Sequence, residues 1–168
     1  MTDPNHLLRS HPFVSGLNDN DVATLASCRT TLVSFEPDDR IVRDGEEASA
    51  CFFIIDGDVA LNLCDVGIGS TTIQTVHEGE IVGWSWLIPP YRGAFDATAL
   101  SQVTAWRADA ALLREAMERD REFGYAMMKR FCDVIVSRIA ASRLRLIDIY
   151  DLAAIDLRGR PLHSAGHR

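Results

Sequence analysis

The stretch RIVRDGEEASACFFIIDGDVALNL, from Arg40 to Leu63, decides the fold of this chain. It combines a basic and apolar run, a glycine-acid turn at Gly45-Glu46, and an apolar and aromatic run that ends at Asp56-Gly57. Short runs of β-branched and aromatic residues between turn residues are typical of β-strands. The stretch therefore predicts consecutive strands. Asp56-Gly57 predicts a tight hairpin, because glycine readily supplies the positive φ that such turns require.

The same pattern extends on both sides of this stretch. Short runs such as TTLVSFE and STTIQTVHEGE fill residues 30–109, and this spacing predicts a β-sandwich or barrel. Helices are predicted on either side. Asn18 or Asp19 is positioned to cap the first helix, and Asp109 is positioned to cap a later one. A second, longer helix is predicted from about Arg121 to Tyr150.

Composition and motifs exclude several classes of function. The chain has 168 residues, 47% of them hydrophobic, which suits one domain, and its net charge of -7 disfavours binding to nucleic acid. No run is long enough to span a bilayer, and no H-x-H, G-x-S-x-G or Walker motif is present. The scattered cysteines suit reduced thiols in a cytoplasmic protein: Cys28, Cys51, Cys64 and Cys132. We therefore expect no enzymatic activity, no metal site and no membrane or nucleic-acid partner.

The long C-terminal helix carries two apolar stripes. The first contains Phe123, Met127, Phe131 and Val134. The second alternates steps of four and three, which is the spacing of a heptad seam: Met128, Cys132, Ile135, Ile139, Ser142, Leu146 and Ile149. The first stripe is expected to cover the β-barrel and the second to meet a partner helix, so we expect a homodimer. The alternative is one wide apolar face buried within a single chain.

These residues, in this order, resemble the front half of a cyclic-nucleotide-binding domain, as in the Crp/Fnr regulators. That family has a basic and apolar strand, a glycine-acid turn, and a Phe/Tyr-Ile-Ile strand that ends in glycine. The corresponding features are Arg40 to Val42, Gly45-Glu46, and Phe53 to Ile55 followed by Gly57. The resemblance covers roughly residues 10 to 150.

The resemblance implies a mainly β fold with flanking helices. This is a cyclic-nucleotide-binding-type β-roll, or jelly-roll barrel, followed by a long C-terminal dimerisation helix. A single domain would cover residues 1–150, with a helical start at 10–29, the β-roll at 30–109 and helices at 110–150. A polar tail would follow at 151–168. Crp/Fnr regulators carry a helix-turn-helix domain at this point, and we expect none here because only residues 151–168 follow Tyr150.

The segment GEIVGWSWL lies where the family has its phosphate-binding cassette, between the fifth and sixth strands. The family usually has a glutamate there that holds the ribose hydroxyl, and then an Arg-Ser/Thr-Ala step whose arginine pairs with the cyclic phosphate. In this chain Trp84 replaces the glutamate, and Phe95-Asp96 replaces the Arg-Ser/Thr pair. The nearest arginine is Arg92. Because a buried phosphate needs a cation and Asp96 would add like charge, we expect weak binding of cAMP or cGMP, or none.

Two functional hypotheses follow. The first is a regulatory, ligand-sensing module that acts through a protein partner. The sequence establishes no cofactor for it, and the candidate ligands are cAMP or another small molecule. The second is a ligand-free dimeric interaction protein whose pocket is filled by its own aromatic side chains. The resemblance implies these ligand-binding positions: Gly83, Trp84, Ser85, Trp86, Leu87, Arg92, Phe95, Asp96, Thr98 and, from the helix, Ser142.

Overall fold

The computed structural model describes the backbone of residues 8–65 and 69–158 and the side chains of residues 8–63 and 70–143. Short 3-10 helices lie at Pro12–Val14 and Ser85–Leu87. The α-helices are α1 (Asp19–Ser27), α2 (Ala110–Arg119) and α3 (Arg121–Arg158). The strands are β1 (Thr31–Phe35), β2 (Arg40–Val42), β3 (Ala50–Asp56), β4 (Val59–Asp65), β5 (Gly69–Val76), β6 (Ile81–Val82), β7 (Asp96–Ala99) and β8 (Val103–Asp109).

The strands form two antiparallel sheets of four strands each. Their orders are β1-β8-β3-β6 and β2-β7-β4-β5. Side chains alternate between the two faces of a strand, so every second residue points into the core between the sheets. The core cluster includes Phe52, Ile54, Leu61, Ala97 and Ala105. The predicted β-roll with flanking helices is therefore confirmed.

The connection at Asp56-Gly57 differs from its prediction. The predicted hairpin is wrong, because β3 and β4 belong to different sheets and do not pair. The positive φ is confirmed, at 92° for Gly57. A Cβ atom on Gly57 would lie 2.3 Å from the carbonyl oxygen of Gln102. Glycine therefore allows the chain to cross from one sheet to the other in close contact with the β7–β8 connection.

The helix caps follow the sequence prediction. The side chain of Asn18 accepts a hydrogen bond from the Asp21 N–H at 2.8 Å and so begins α1. Asp109 begins α2 by accepting from the N–H groups of Ala111 and Leu112. Helix α3 extends to Arg158, past its predicted end at Tyr150.

The chain divides into two compact units, Met1–Cys132 and Asp133–Arg168. Within the first unit Phe123, Met127 and Phe131 are fully buried, as expected for the stripe that covers the β-roll. The seam positions are more open: Met128 is 44% exposed and Ile139 is 49% exposed. Cys132 and Ser142 are exposed and Ile135 is half-buried, whereas Leu146 and Ile149 lie outside the described side chains.

Within the described part of the chain, no helix is both long and apolar enough to cross a membrane. The same residues contain no group of three or more histidine, cysteine, aspartate or glutamate side chains placed to hold a metal ion.

Candidate functional site

A cavity of about 270 Å³ opens into one end of the β-roll. It is bounded by β2, by the loop between β2 and β3, by residues of β3 and β8, and by residues at both ends of the segment between β6 and β7. The lining residues that matter most are Phe52, Gly83, Ser85, Phe95, Arg40, Arg43, Glu46, Glu47 and Arg107. The volume is slightly below the ~300–1,000 Å³ that is usual for small-molecule sites. A cavity of this size suits a compact ligand.

The segment that covers this cavity is residues 83–95, which we call the cassette. It lies between β6 and β7, not between the fifth and sixth strands as expected, because the two-residue strand β6 adds one to the count. Gly83 has a φ of 81°, and a Cβ atom there would lie 2.9 Å from the carbonyl oxygen of Ala50. Gly83 and Ser85, both predicted site residues, line the cavity.

The two tryptophans of the cassette, Trp84 and Trp86, are not among the residues that line this cavity. Trp86 is fully buried, and its ring packs edge-on against Phe131 of α3, with 5.3 Å between ring centroids. Phe131 also contacts Phe13, whose ring in turn meets Phe53. This aromatic cluster lies on the helix-facing side of the β3 sheet, because Phe53 alternates with the inward-facing Phe52.

Trp84, which precedes the short 3-10 helix, is half-buried. Its indole nitrogen is buried and has no hydrogen-bond acceptor among the described residues.

Arg92 binds the neighbouring loop. Its Nη1 atom donates a hydrogen bond to the carbonyl oxygen of Gly45 at 2.7 Å, and the residue is exposed. Backbone hydrogen bonds join the same two segments. The Ala48 N–H donates to the backbone carbonyl oxygen of Tyr91 at 2.8 Å, and the Gly93 N–H donates to the backbone carbonyl oxygen of Glu46 at 2.9 Å. The cassette and the β2–β3 loop are therefore held together at the edge of the cavity.

The predicted site residues in β7 and immediately before it lie on opposite faces. Phe95 lines the cavity, whereas Asp96 is absent from both the lining and the core cluster. The Asp96 carboxylate accepts a hydrogen bond from the Asp44 N–H at 2.9 Å and lies 3.9 Å from Nη1 of Arg40. Thr98 shares its face and accepts from Asn62 at 3.4 Å. The like charge that we expected Asp96 to add to the ligand is therefore turned to the outer face by the strand alternation.

Two further predicted positions lie elsewhere. Leu87 is half-buried and lines a second, more apolar cavity of about 420 Å³ together with Tyr91, Arg114 and Met128. Ser142 is exposed and belongs to the second compact unit.

Arg114 of α2 was not anticipated from the sequence. Its Nη1 atom donates to the carbonyl oxygen of Trp86 at 3.1 Å, and its guanidinium lies 4.3 Å from the centroid of the Tyr91 ring. These contacts tie α2 to the cassette by a hydrogen bond and a cation–π interaction. No sequence motif marks Arg114, because its role depends on how the helix packs.

Comparison with known proteins places the chain in a family. Residues 32–120, more than half of the chain, match the family model described as the cyclic nucleotide-binding domain. The chain therefore belongs to the cyclic nucleotide-binding domain family, as its resemblance implied. No curated protein matches the sequence significantly.

Several solved structures share the fold. A protein from Geobacter metallireducens GS-15 assigned to the cyclic nucleotide-binding proteins is 25% identical, with a TM-score of 0.73, over 82% of this chain and 98% of that chain. A cyclic nucleotide-binding domain from Methylobacillus flagellatus KT is 16% identical, with a TM-score of 0.72, over 85% and 80%. The regulatory subunit of a cAMP-independent protein kinase A from Trypanosoma cruzi, bound to guanosine, is 21% identical, with a TM-score of 0.61. That alignment covers 68% of this chain and 41% of the subunit.

Proposed function

We propose that this protein is a regulatory module that senses a small molecule in the cavity of its β-roll. The observation that carries the proposal is the open cavity itself. It is lined by Gly83, Ser85 and Phe95, while the bulk of Trp86 packs against the helix. The family to which the chain belongs is regulatory rather than catalytic.

The cassette offers a route from the ligand to α3. Ser85 lines the cavity, and the next residue, Trp86, packs against Phe131. The neighbouring seam residues Met128 and Cys132 are exposed on another face of the same helix. A ligand that favours one position of the cassette would shift α3 between two arrangements. This requires that the ligand bind one arrangement more tightly than the other.

We infer that the seam on α3 holds two copies together and that a protein partner reads the change. Exposed apolar residues at heptad spacing support a helix–helix contact, because leaving them in water is unfavourable. In this proposal cAMP and cGMP bind weakly. The usual arginine is missing from the cassette, and Arg92 is engaged with Gly45.

The proposal is tested by calorimetric titration of the full chain with cAMP, cGMP and guanosine. Guanosine is included because the related kinase subunit from Trypanosoma cruzi was solved with it. The informative variant is Ser85→Phe, which adds a ring at a lining position. The matched control is Leu87→Phe, which adds the same ring on the same short helix outside this cavity.

Binding that Ser85→Phe abolishes and Leu87→Phe preserves would support ligand sensing in the cavity. Binding that survives Ser85→Phe would place the ligand elsewhere and contradict the proposal. If none of the three compounds binds, the result would favour the second function, a ligand-free dimeric interaction protein.

A further inference from the structure

Arg107 is a charged residue on the inner face of a core strand. It lies on β8, where Val103 and Ala105 both belong to the buried core between the sheets. Strand alternation puts Arg107 on that same face. Its partner in the antiparallel register to β3 is Phe52, which also belongs to the core and lines the cavity. Arg107 itself lines the cavity.

Three of the other charged groups around the cavity, Arg40, Arg43 and Glu46, have ion-pair partners. Nη1 of Arg40 lies 3.9 Å from Asp96, and Nε of Arg43 lies 3.9 Å from Glu46. Within the described residues, no carboxylate or carbonyl is recorded within hydrogen-bond or ion-pair distance of Arg107. The residue is nevertheless half-buried.

A half-buried guanidinium without a protein partner is unfavourable unless something else compensates its charge. Asp96, the first residue of β7, is on the outer face, and its carboxylate contacts Asp44 and Arg40. Glu46 and Glu47 line the cavity but are exposed. Arg107 thus offers a planar, bidentate donor to an anion in the cavity, with Phe52 as its cross-strand neighbour.

We propose that Arg107 is the anion-binding residue of this cavity and that the natural ligand carries a terminal phosphate on a compact, partly flat organic group. The inference rests on the proposed function, since it names the ligand class of the same cavity. It explains how the site can hold an anion without an arginine in the cassette. The phosphate binds from the β8 side, and the remainder of the ligand lies against Phe52 and Phe95 beneath Gly83.

The test compares guanosine with 5′-GMP, which differ by the terminal phosphate alone. Both are titrated into the full chain by calorimetry, with millimolar inorganic phosphate as a competitor. We expect 5′-GMP to bind about 10- to 100-fold more tightly than guanosine, as expected for a hydrogen-bonded charge pair. Raising the salt concentration should reduce the difference, because salt screens a partly exposed ion pair.

The variant Arg107→Met should remove the preference for 5′-GMP, while Arg107→Lys should keep part of it because the charge remains without the bidentate fork. Arg119→Met is the matched control: it removes an exposed arginine from the end of α2, outside this cavity, and should leave the preference unchanged. Circular dichroism and thermal unfolding confirm that each variant is folded.

A preference for 5′-GMP that persists in Arg107→Met would overturn the inference. Equal binding of guanosine and 5′-GMP would also overturn it, while leaving ligand sensing intact. If 5′-GMP, guanosine and inorganic phosphate all fail to bind the unmodified protein, the anion site is refuted. In that case the cyclic nucleotide titrations decide the proposed function separately.

Discussion

At the scale of single residues, two aromatic side chains of the cassette have different roles. Phe95 faces the core and lines the cavity, whereas Trp86 packs on Phe131 outside it. The difference follows from direction: Phe95, which immediately precedes β7, faces inward, whereas Trp86 points from the short 3-10 helix toward Phe131 of α3. Replacing Trp86 should therefore affect the stability of the fold more directly than ligand binding.

Replacing Trp86 with alanine should lower the free energy of unfolding by about 3–5 kcal/mol, because a fully buried ring leaves a cavity between the cassette and α3. Equilibrium denaturation in urea measures the change. Ile88→Ala is the control: Ile88 is 65% exposed two residues away, and the change should stay within about 0.5 kcal/mol. A loss below 1 kcal/mol for Trp86→Ala would show that this packing is not what holds the cassette to the helix.

His11 is a second residue whose surroundings predict a measurable effect. It is buried, its Nε2 atom bonds the carbonyl oxygen of Ile54 at 3.0 Å, and its Nδ1 atom accepts from the Phe13 N–H at 3.2 Å. Both bonds suit the neutral ring. Burial lowers the pKa of His11 below 6.5, although the hydrogen bonds to backbone carbonyls oppose the shift.

This pKa shift predicts acid sensitivity. Below pH 6.5 the unfolded chain takes up a proton that the folded chain binds only at lower pH. The free energy of unfolding should therefore be highest above that pH and fall as the pH decreases through the folded-state pKa. The variant His11→Gln keeps a donor and an acceptor without titrating, so its stability should change less over the same range. Parallel pH profiles of the two proteins, measured by denaturation, would contradict this assignment.

At the scale of elements, the cavity depends on the close contact between the β2–β3 loop and the cassette. A Cβ atom on Gly93 would lie 2.3 Å from the carbonyl oxygen of Arg43, and the Gly93 N–H donates to Glu46. Gly45, in the opposing loop, has a φ of 73° but nothing within 4 Å of its Cβ position. Gly93 is therefore required because a Cβ atom would not fit there, whereas Gly45 is required because its φ is positive.

This distinction predicts different responses to asparagine, which tolerates positive φ better than most residues. Gly45→Asn should cost no more than about 1 kcal/mol, because only the backbone conformation is constrained. Gly93→Asn should cost about 1–3 kcal/mol and weaken any cavity ligand, because the two segments must separate. Thermal unfolding and calorimetry check the pair, and equal effects at the two positions would refute the steric argument.

At the scale of the whole molecule, the seam on α3 predicts self-association. Ile139→Glu should weaken the dimer at least about tenfold, since a carboxylate would be buried against an apolar partner helix. Ser137→Glu, an exposed position off the seam, is the matched control and should leave the dimer intact. Analytical ultracentrifugation measures both. A protein that is monomeric at every concentration would show that the seam binds something other than a second copy.

Much of the fold was predictable from local patterns. The caps at Asn18 and Asp109 and the positive φ at Gly57 depend on interactions within a few residues of the chain, so their signals are visible in the sequence. The runs of β-branched and aromatic residues predicted strands for the same reason. The pairing at Asp56-Gly57 was not predictable, because whether two successive strands share a sheet depends on distant partners.

The site was predictable only in part. Gly83, Ser85 and Phe95 line the cavity, and their role in binding a ligand stays a prediction that depends on the family pattern. The directions of Trp86, Arg92 and Asp96 were decided by packing against α3, by the β2–β3 loop and by the pleat of β7. Arg107 was missed because one arginine in an apolar strand carries no motif. Its place in the cavity arises from its register opposite Phe52, a contact between residues far apart in sequence that only the folded chain brings together.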